Sequence, residues 1–294
     1  METRQPQPLK AAVWMCGAIV SFILMAVAGR AVQVDLSTFE LMFWRSLIGL
    51  GIVSALIWVR HRNFALIRTA HPGLHLTRNV FHFTGQNLWF YGLTMIPLSQ
   101  LVALEFTMPI WVLLLAPMLL GESLDRTKIL VACIGFAGVL IVAQPGSNAL
   151  NLGHLAGILA AIGFAMNLIY TRKIMQFNTV LCVLFWMTFS QGAMALVLGL
   201  ATGFHWPPTA LWPWLAVVAV TGLTAHFSLT TALGLAPAML VAPMEFARLP
   251  LIALVGVWLY AEPLDPMVFL GAALIFSANI WNLRASAAGG RRKR

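Results

Sequence analysis

The sequence contains one long stretch twice, and this duplication limits the chain to a fold built from two copies of one unit. Residues 93–125 align without a gap with residues 233–265, which lie 140 positions further on. The first-copy residues that recur are Leu93, Pro97, Glu105, Phe106, Leu114, Leu119, Glu122, Leu124 and Asp125. An ungapped match that includes a proline, a Glu-Phe pair and a terminal Glu-x-Leu-Asp indicates an internal repeat.

Too few polar residues are present to cover a surface that faces water. Hydrophobic residues make up 60% of the 294 positions and charged residues 9%, with a mean hydropathy of +0.87. A soluble domain carries about 25% charged residues, so we expect the chain to lie in lipid. The net charge of +9 does not predict a nucleic-acid partner, because the basic residues lie in short gaps between apolar runs.

Ten apolar stretches have about the 20 residues needed to cross a bilayer. Only helices are expected there, because a backbone in lipid must satisfy its own hydrogen bonds. The sequence therefore predicts an all-α integral membrane protein with ten transmembrane helices. The predicted spans are 11–29, 38–59, 74–95, 98–120, 127–144, 152–171, 179–201, 211–233, 238–260 and 267–284.

The basic residues predict how these spans are oriented. With the N-terminus inside, the cytoplasmic segments hold 15 of the 18 Lys and Arg residues, and Arg78 is among them. Arg30 lies on the opposite side, whereas Arg45 and Arg248 lie within spans. The positive-inside rule then places both the N- and the C-terminus in the cytoplasm.

Five spans per copy is an odd number, so the second copy must cross the membrane in the opposite sense to the first. The predicted organisation is a first repeat over 9–146, an inverted second repeat over 150–286 and a basic cytoplasmic tail over 287–294. Inverted repeats are a recurrent architecture of secondary transporters, whose substrate site lies near the bilayer midplane. The sequence thus favours a transporter that works by alternating access.

The repeated motifs resemble those of the drug/metabolite transporter superfamily, in particular its EamA-type branch, over essentially the whole chain. The resemblance is carried by the proline-to-Glu-Phe block, the run at 135–140, Gly121-Glu122-Ser123-Leu124, Ala261-Glu262-Pro263-Leu264 and Phe43-Trp44-Arg45. It implies ten helices around a central cavity, a bacterial inner-membrane location and transport of small organic solutes. Amino acids, S-adenosylmethionine, riboflavin and secreted metal-chelating metabolites all fall within the substrates of this branch.

Charged residues inside the predicted spans are the strongest candidates for function, since each costs about 2.5–3.5 kcal/mol at a helix centre. Glu105 and Glu245 are equivalent in the two copies, and Arg248 lies one turn from Glu245. Arg45, in the second span, is expected to pair with Glu105. Two interpretations stay open: ion pairs that hold the bundle together, or cavity groups that bind a charged solute or carry a proton.

Two other signals mark the same regions. Pro109 deprives the Glu105 carbonyl of its helical donor, and Pro250 follows Arg248, so we expect broken helices at equivalent positions of the two copies. Polar residues cluster in the third and eighth spans, with Gln86 equivalent to His226. The clustered residues are His82, Thr84, Gln86, Asn87, Thr221, Thr224, His226 and Thr230. Such residues either join helices by hydrogen bonds or line a cavity.

These arguments define a site hypothesis and a function hypothesis. The predicted substrate-binding or coupling residues are Arg45, His82, Gln86, Glu105, His226, Glu245 and Arg248. No cofactor, metal site or catalytic constellation is expected, since the three cysteines lie singly in apolar runs. The main prediction is an exporter of an amino acid or related metabolite, with proton coupling as an option. The alternatives are uptake or exchange of a nucleoside-like metabolite or vitamin and, less favoured, a membrane enzyme. Both a monomer and a homodimer fit the sequence.

Overall fold

The described part of the chain consists of helices and connecting segments, without a strand. A computed structural model describes residues 8–120, 126–143, 151–174, 177–235, 244 and 248–292. The α-helices are α1 (Pro8–Val32), α2 (Thr38–His61), α3 (Pro72–Met95), α4 (Leu98–Glu105), α5 (Met108–Leu120), α6 (Arg126–Ala143), α7 (Leu152–Ile174), α8 (Val180–Thr202), α9 (Trp212–Leu235), α10 (Arg248–Tyr260) and α11 (Pro266–Arg292). This confirms the predicted all-α class, and α11 extends beyond the predicted end of the tenth span at 284.

Local capping interactions set where several helices begin. At the start of α2, the Ser37 hydroxyl accepts a hydrogen bond from the Glu40 backbone at 3.3 Å, and the Glu40 carboxylate accepts one from the Ser37 backbone at 2.7 Å. This reciprocal capping box satisfies two backbone donors that a helix start leaves without partners. Asp265 caps α11 by accepting a hydrogen bond from the Met267 backbone at 2.8 Å.

The predicted fourth span is a broken helix. Phe106 and Thr107 separate α4 from α5, because Pro109 has no N–H to donate to the Glu105 carbonyl four residues earlier. Glu105 therefore stands at the end of α4 rather than in the middle of a continuous helix. The residues around Glu245, where the sequence predicts an equivalent break, lie outside the described part of the chain.

Five helices of the described residues are long and apolar enough to cross a membrane. They are Leu9–Val32, Thr38–His61, Leu152–Thr171, Val180–Thr202 and Thr209–Ala232. Shorter apolar helices include Ile129–Val142, Leu251–Tyr260 and Pro266–Ala278. The α3 helix has 24 residues, but its buried face carries polar side chains such as His75 and Asn79. The structure thus supports a multi-pass membrane protein, whereas the number of ten crossings stays a prediction.

The main helix pairs each join one copy of the repeat to the other. The most extensive packing is between α1 and α9, α3 and α7, α6 and α11, and α2 and α8. Shifting the numbering by 140 residues turns α1 into α7 and α3 into α9, so the first two pairs are exchanged with each other. The same shift returns the α2–α8 and α6–α11 pairs to themselves. The packing therefore has the pattern that a two-fold relation between the copies requires.

Individual contacts between α6 and α11 follow the same relation. A Cβ atom placed on Gly138 would lie 2.8 Å from the Gly271 carbonyl oxygen, so these two backbones touch. Moved by 140 residues in opposite directions, this contact maps onto Val131 and Ala278, which form a buried cluster of their own. Small residues at such crossings allow the close backbone approach that stabilises helix pairs in lipid.

Substitution of Gly163 by leucine is expected to destabilise the protein. A Cβ atom on Gly163, in α7, would lie 2.9 Å from the Gly85 Cα atom and 3.0 Å from the Phe81 carbonyl oxygen, both in α3. Backbone cannot move aside as a side chain can, and overpacking costs about 1–3 kcal/mol. The measurement is the apparent melting temperature of the detergent-purified protein.

Gly51→Leu is the matched control, because a Cβ atom at Gly51 would have no neighbour within 4 Å. We expect this control to unfold at or above the wild-type temperature, since leucine favours helix more than glycine does. Equal melting temperatures for the two variants would contradict the close packing of α3 on α7.

Candidate functional site

A cavity lies among α1, α3, α7 and α9, next to the break between α4 and α5 and the start of α10. Its lining is mainly apolar with a few polar side chains, which is typical of sites for small organic ligands. Its rings come from Phe22, Trp89, Phe90 and Phe164, and its polar groups from His82, Gln86, Glu105, Asn167, His226 and Arg248. Both copies of the repeat contribute to the lining.

An ion pair between the two copies stands at one wall of this cavity. The Arg248 guanidinium lies 2.8 Å from Glu105 Oε1, and the Trp89 indole donates to Glu105 Oε2 at 2.9 Å. The same guanidinium lies over the rings of Phe22 and Phe106, 5.0 and 5.3 Å from their centroids. Arg248 is 4% exposed, so its charge is held by a carboxylate and by aromatic faces instead of by water.

The helical period explains why α3 supplies so much of the lining. His82, Gln86, Trp89 and Phe90 are spaced by four, three and one residues, which places them on one face of the helix. The sequence singles out His82 and Gln86 from this set as site residues. Trp89, which was not among the predicted site residues, also lines the cavity.

Arg45 does not pair with Glu105, which corrects the sequence-based expectation. Its Nη2 donates to Gln86 Oε1 at 3.3 Å, and its Nη1 lies 4.0 Å from Met25 Sδ. Arg45 lines a smaller neighbouring cavity instead. The expectation failed because α2 packs on α8 and α9, while the Glu105 carboxylate meets the start of α10.

Two histidines from different copies meet at the cavity. The rings of His82 and His226 have centroids 5.0 Å apart at 86°, and the His226 ring also meets Phe22 edge-on. His82 Nδ1 lies 3.0 Å from Gln191 Nε2 in α8. The histidine pair therefore joins α3 to α9, and Gln191 fixes the orientation of one ring.

The structure brings together most of the predicted site residues but not all. His82, Gln86, Glu105, His226 and Arg248 line the cavity, and Arg45 contacts it through Gln86. Glu245 lies outside the described residues. The Thr224 hydroxyl lies 3.0 Å from that of Ser21, which is the helix-joining role that the sequence left as an alternative.

Other functional candidates were missed by reasoning from the sequence. Asn167 and Phe164 in α7 and Met25 in α1 line the cavity; Asn167 is signalled only by being polar within an apolar run. Arg78, assigned to a cytoplasmic segment by the charge count, is 4% exposed inside α3 and donates to Thr171 Oγ1 at 2.8 Å. The sequence around a single charged residue does not show whether its side chain lies inside or outside the helix bundle.

A second ion pair ties the two copies together at the ends of their helices. Arg30 Nη1 lies 2.5 Å from Glu262 Oε1, and Arg30 also donates to the carbonyls of Leu93 and Ile96. The other oxygen of Glu262 accepts from the Leu98 backbone at 2.9 Å. These contacts close one end of the bundle, where α1, α3, α4 and α10 come together.

The fold and this cavity define a multi-pass membrane protein with an internal site for a small solute. The sequence matches the EamA-like transporter family over residues 9–144 and again over 151–284. The chain belongs to the EamA-like transporter family, which confirms the resemblance drawn from its motifs.

Several named transporters align with most of the chain. It is 29% identical over 278 residues to a riboflavin transporter of Rhizobium johnstonii, with 93% of this chain and 90% of the relative aligned. A riboflavin transporter of Brucella anthropi is 31% identical over 82% of this chain and 86% of its own length. An S-adenosylmethionine uptake transporter of Rickettsia felis is 25% identical over 91% and 90%. These names fit the vitamin or nucleoside-like alternative better than an amino-acid exporter.

A solved crystal structure shares the fold. It superposes with a TM-score of 0.65 at 17% sequence identity, covering 94% of this chain and 97% of that one. At this identity the likeness concerns the arrangement of the helices alone.

Removal of one member of the Glu105–Arg248 pair is expected to cost more stability than removal of both. Glu105→Leu removes the carboxylate but leaves the Arg248 charge in a buried site. Removal of one member of a buried ion pair typically costs about 3–5 kcal/mol of folding free energy. Glu105→Leu combined with Arg248→Met removes both charges, so the apparent melting temperature should recover most of the difference. The measurement is thermal unfolding of the four members of the double-mutant cycle in detergent; strictly additive losses would show that the pair is not coupled.

Proposed function

We propose that this protein is a secondary transporter that takes up a planar heteroaromatic metabolite, with riboflavin as the first candidate. The observation that carries the proposal is the cavity itself, in which aromatic rings from α1, α3 and α7 surround side chains able to form hydrogen bonds. Aromatic faces bind a flat ring system by offset or edge-on contact. The names of the relatives support the same chemical class.

The charges around the cavity favour a neutral solute. Among the described lining residues, Glu105 and Arg248 are the carboxylate and the guanidinium, and they lie 2.8 Å apart. Riboflavin is neutral, and its isoalloxazine ring carries carbonyl and ring-nitrogen acceptors. S-Adenosylmethionine carries a sulfonium cation, which binds best where a carboxylate or aromatic faces remain open to it. Riboflavin therefore ranks ahead of S-adenosylmethionine.

A second candidate is the export of an amino acid or a related zwitterion. It is favoured by the Glu105–Arg248 pair, whose two charges could each exchange their partner for one end of a zwitterionic solute. The same pair could also carry a coupling proton, since carboxylates inside a membrane helix bundle often form proton pathways. Proton-coupled transport is therefore part of the proposed function.

Alternating access follows from the symmetry of the packing. If ten helices cross an inner membrane as two inverted repeats, with boundaries at 9–146 and 150–286 and both ends in the cytoplasm, the halves are equivalent in opposite orientations. Exchanging their conformations then moves the opening of the cavity from one face to the other. In this scheme the Arg30–Glu262 bridge closes one face and must break when that face opens.

Purified protein in liposomes should take up riboflavin with saturable kinetics. Trp89→Leu removes a ring from the cavity, and loss of one aromatic contact of about 1–1.5 kcal/mol should raise the half-saturating riboflavin concentration by about fivefold to tenfold. Trp258→Leu is the matched control, because Trp258 is 89% exposed on α10 and faces away from the cavity. Radiolabelled riboflavin flux is the measurement. Flux of S-adenosylmethionine or of an amino acid in its place would contradict the proposed substrate.

Weakening the Arg30–Glu262 bridge should open the face that it closes. Glu262→Gln keeps a side-chain acceptor for Leu98 but removes the negative charge, and a charge-assisted hydrogen bond contributes about 1.5–3 kcal/mol. A cysteine at Met25, in a variant without native cysteines, should then react at least about tenfold faster with a membrane-impermeant maleimide applied from that face.

Asp265→Asn, on the same connecting segment, serves as the control and should leave the labelling rate unchanged. An unchanged rate in Glu262→Gln would mean that the bridge holds the helix ends together without controlling access to the cavity.

A further inference from the structure

Arg45 fixes which end of the Gln86 carboxamide faces it. The oxygen and nitrogen of a carboxamide are distinguished by their hydrogen-bond partners, and here the partner leaves one choice. A guanidinium carries five N–H donors and no acceptor. The atom 3.3 Å from Arg45 Nη2 must therefore be Gln86 Oε1, and the amino group of Gln86 must point elsewhere.

The arginine is itself held in place. Arg45 is 5% exposed, and its other amino group lies 4.0 Å from Met25 Sδ on α1. Gly222 of α9 lies beside the guanidinium, since a Cβ atom there would be in ordinary van der Waals contact with it, 3.8 Å from the Arg45 Cζ atom. Three helices thus position the guanidinium that orients Gln86.

The amino group of Gln86 is left as a donor at the cavity. Gln86 is 3% exposed and lines the central cavity. In the part of the chain that the structure describes, no group accepts a hydrogen bond from Gln86 Nε2. An N–H group that lines a cavity bonds to water or to a ligand, so a ligand that displaces the water keeps this hydrogen bond only by supplying an acceptor.

We propose that Gln86 determines specificity by donating a hydrogen bond to an acceptor atom on the ring edge of the solute, with Arg45 as its positioning residue. This inference rests on the proposed function and deepens it. The ligand class is a planar heteroaromatic ring with a carbonyl oxygen or an unprotonated ring nitrogen at its edge. Trp89 and Phe90, three and four residues further along α3, supply the aromatic surface beside the donor.

The acceptor can come from two ring systems, and they are tested separately. In a flavin it is one of the two carbonyl oxygens or a ring nitrogen, and in an adenine it is a ring nitrogen. The first series consists of riboflavin with its 1-deaza, 5-deaza, 2-thio and 4-thio analogues. The second consists of S-adenosylmethionine with its 1-deaza, 3-deaza and 7-deaza analogues. Affinities are measured by displacement of the labelled parent compound from the full-length protein in detergent.

The expected result is a coupling between one residue and one ligand atom. In the wild type, one analogue of the bound series should bind at least tenfold more weakly than its parent. In Gln86→Met the parent should weaken by a similar factor, and the difference between parent and analogue should disappear. A double-mutant cycle between residue and ligand isolates this term from general damage to the site.

Three further variants distinguish recognition of the solute by Gln86 from a purely structural role. Gln86→Glu keeps an acceptor for Arg45 but removes the donor, so it should lose the discrimination while the protein stays folded. Arg45→Met frees the carboxamide to turn, so it too should reduce discrimination, whereas Arg45→Lys, which retains a donor, should preserve most of it. Melting temperatures report folding for each variant.

The outcomes separate the two proposals. If Gln86→Met weakens the binding of every ligand of the bound series by the same factor, Gln86 does not hydrogen-bond to the atom that distinguishes these ligands. It then serves only as a partner of Arg45, and the inference is wrong. If riboflavin does not bind but the S-adenosylmethionine series shows the coupling, the proposed substrate is wrong and the donor role of Gln86 stands. If riboflavin binds and is transported without any coupling, the donor role fails and the proposed function stands.

Discussion

The pairing of Glu105 with Arg248 is the interaction on which the centre of the molecule depends. One member comes from each copy of the repeat; Arg248 is buried, and the Glu105 side chain is 17% exposed. Glu105 can reach this position because Pro109 ends α4 at that residue, so a backbone break and a buried charge occupy the same place. Lipid offers no partner to either, and the bundle must supply the compensation internally.

The rest of the cavity is arranged around that pair. Trp89 binds the carboxylate by its indole N–H while Phe22 and Phe106 lie against the guanidinium. Aromatic residues therefore have two roles here: they stabilise the buried charge, and they leave ring surface facing a solute. This lining suits the flat, neutral solute proposed above, and riboflavin transporters are among the relatives of this chain.

Much of the helix layout could be predicted from the sequence, because it depends on local signals. The span predicted at 38–59 is observed as Thr38–His61, and the one at 98–120 breaks where Pro109 requires. Residues on a buried helix face, such as His82 and Gln86, could be recognised because a polar side chain in an apolar run either joins helices by a hydrogen bond or lines a cavity. The repeat also predicted that the two copies would meet.

Partners across the bundle could not be predicted in the same way. Arg45 was expected to pair with Glu105 because both are charged residues inside predicted spans. Spacing along the chain, however, does not specify which helices are in contact. The answer depends on α2 packing on α8 and α9, which leaves Arg45 with Gln86. For the same reason Arg78 was placed outside the bundle, although its contact with Thr171 joins α3 to α7.

The line of close contact between α6 and α11, called the seam below, has a consequence for motion. Its glycines bring backbone against backbone, and the relation between the copies maps this seam onto itself, unlike the α1–α9 and α3–α7 pairs, which are mapped onto each other. If the two copies exchange conformations during transport, the α1–α9 and α3–α7 pairs exchange conformations with each other, whereas the α6–α11 seam returns to the same geometry. Together with the α2–α8 pair, which the relation also maps onto itself, this seam can therefore act as a fixed axis of the motion.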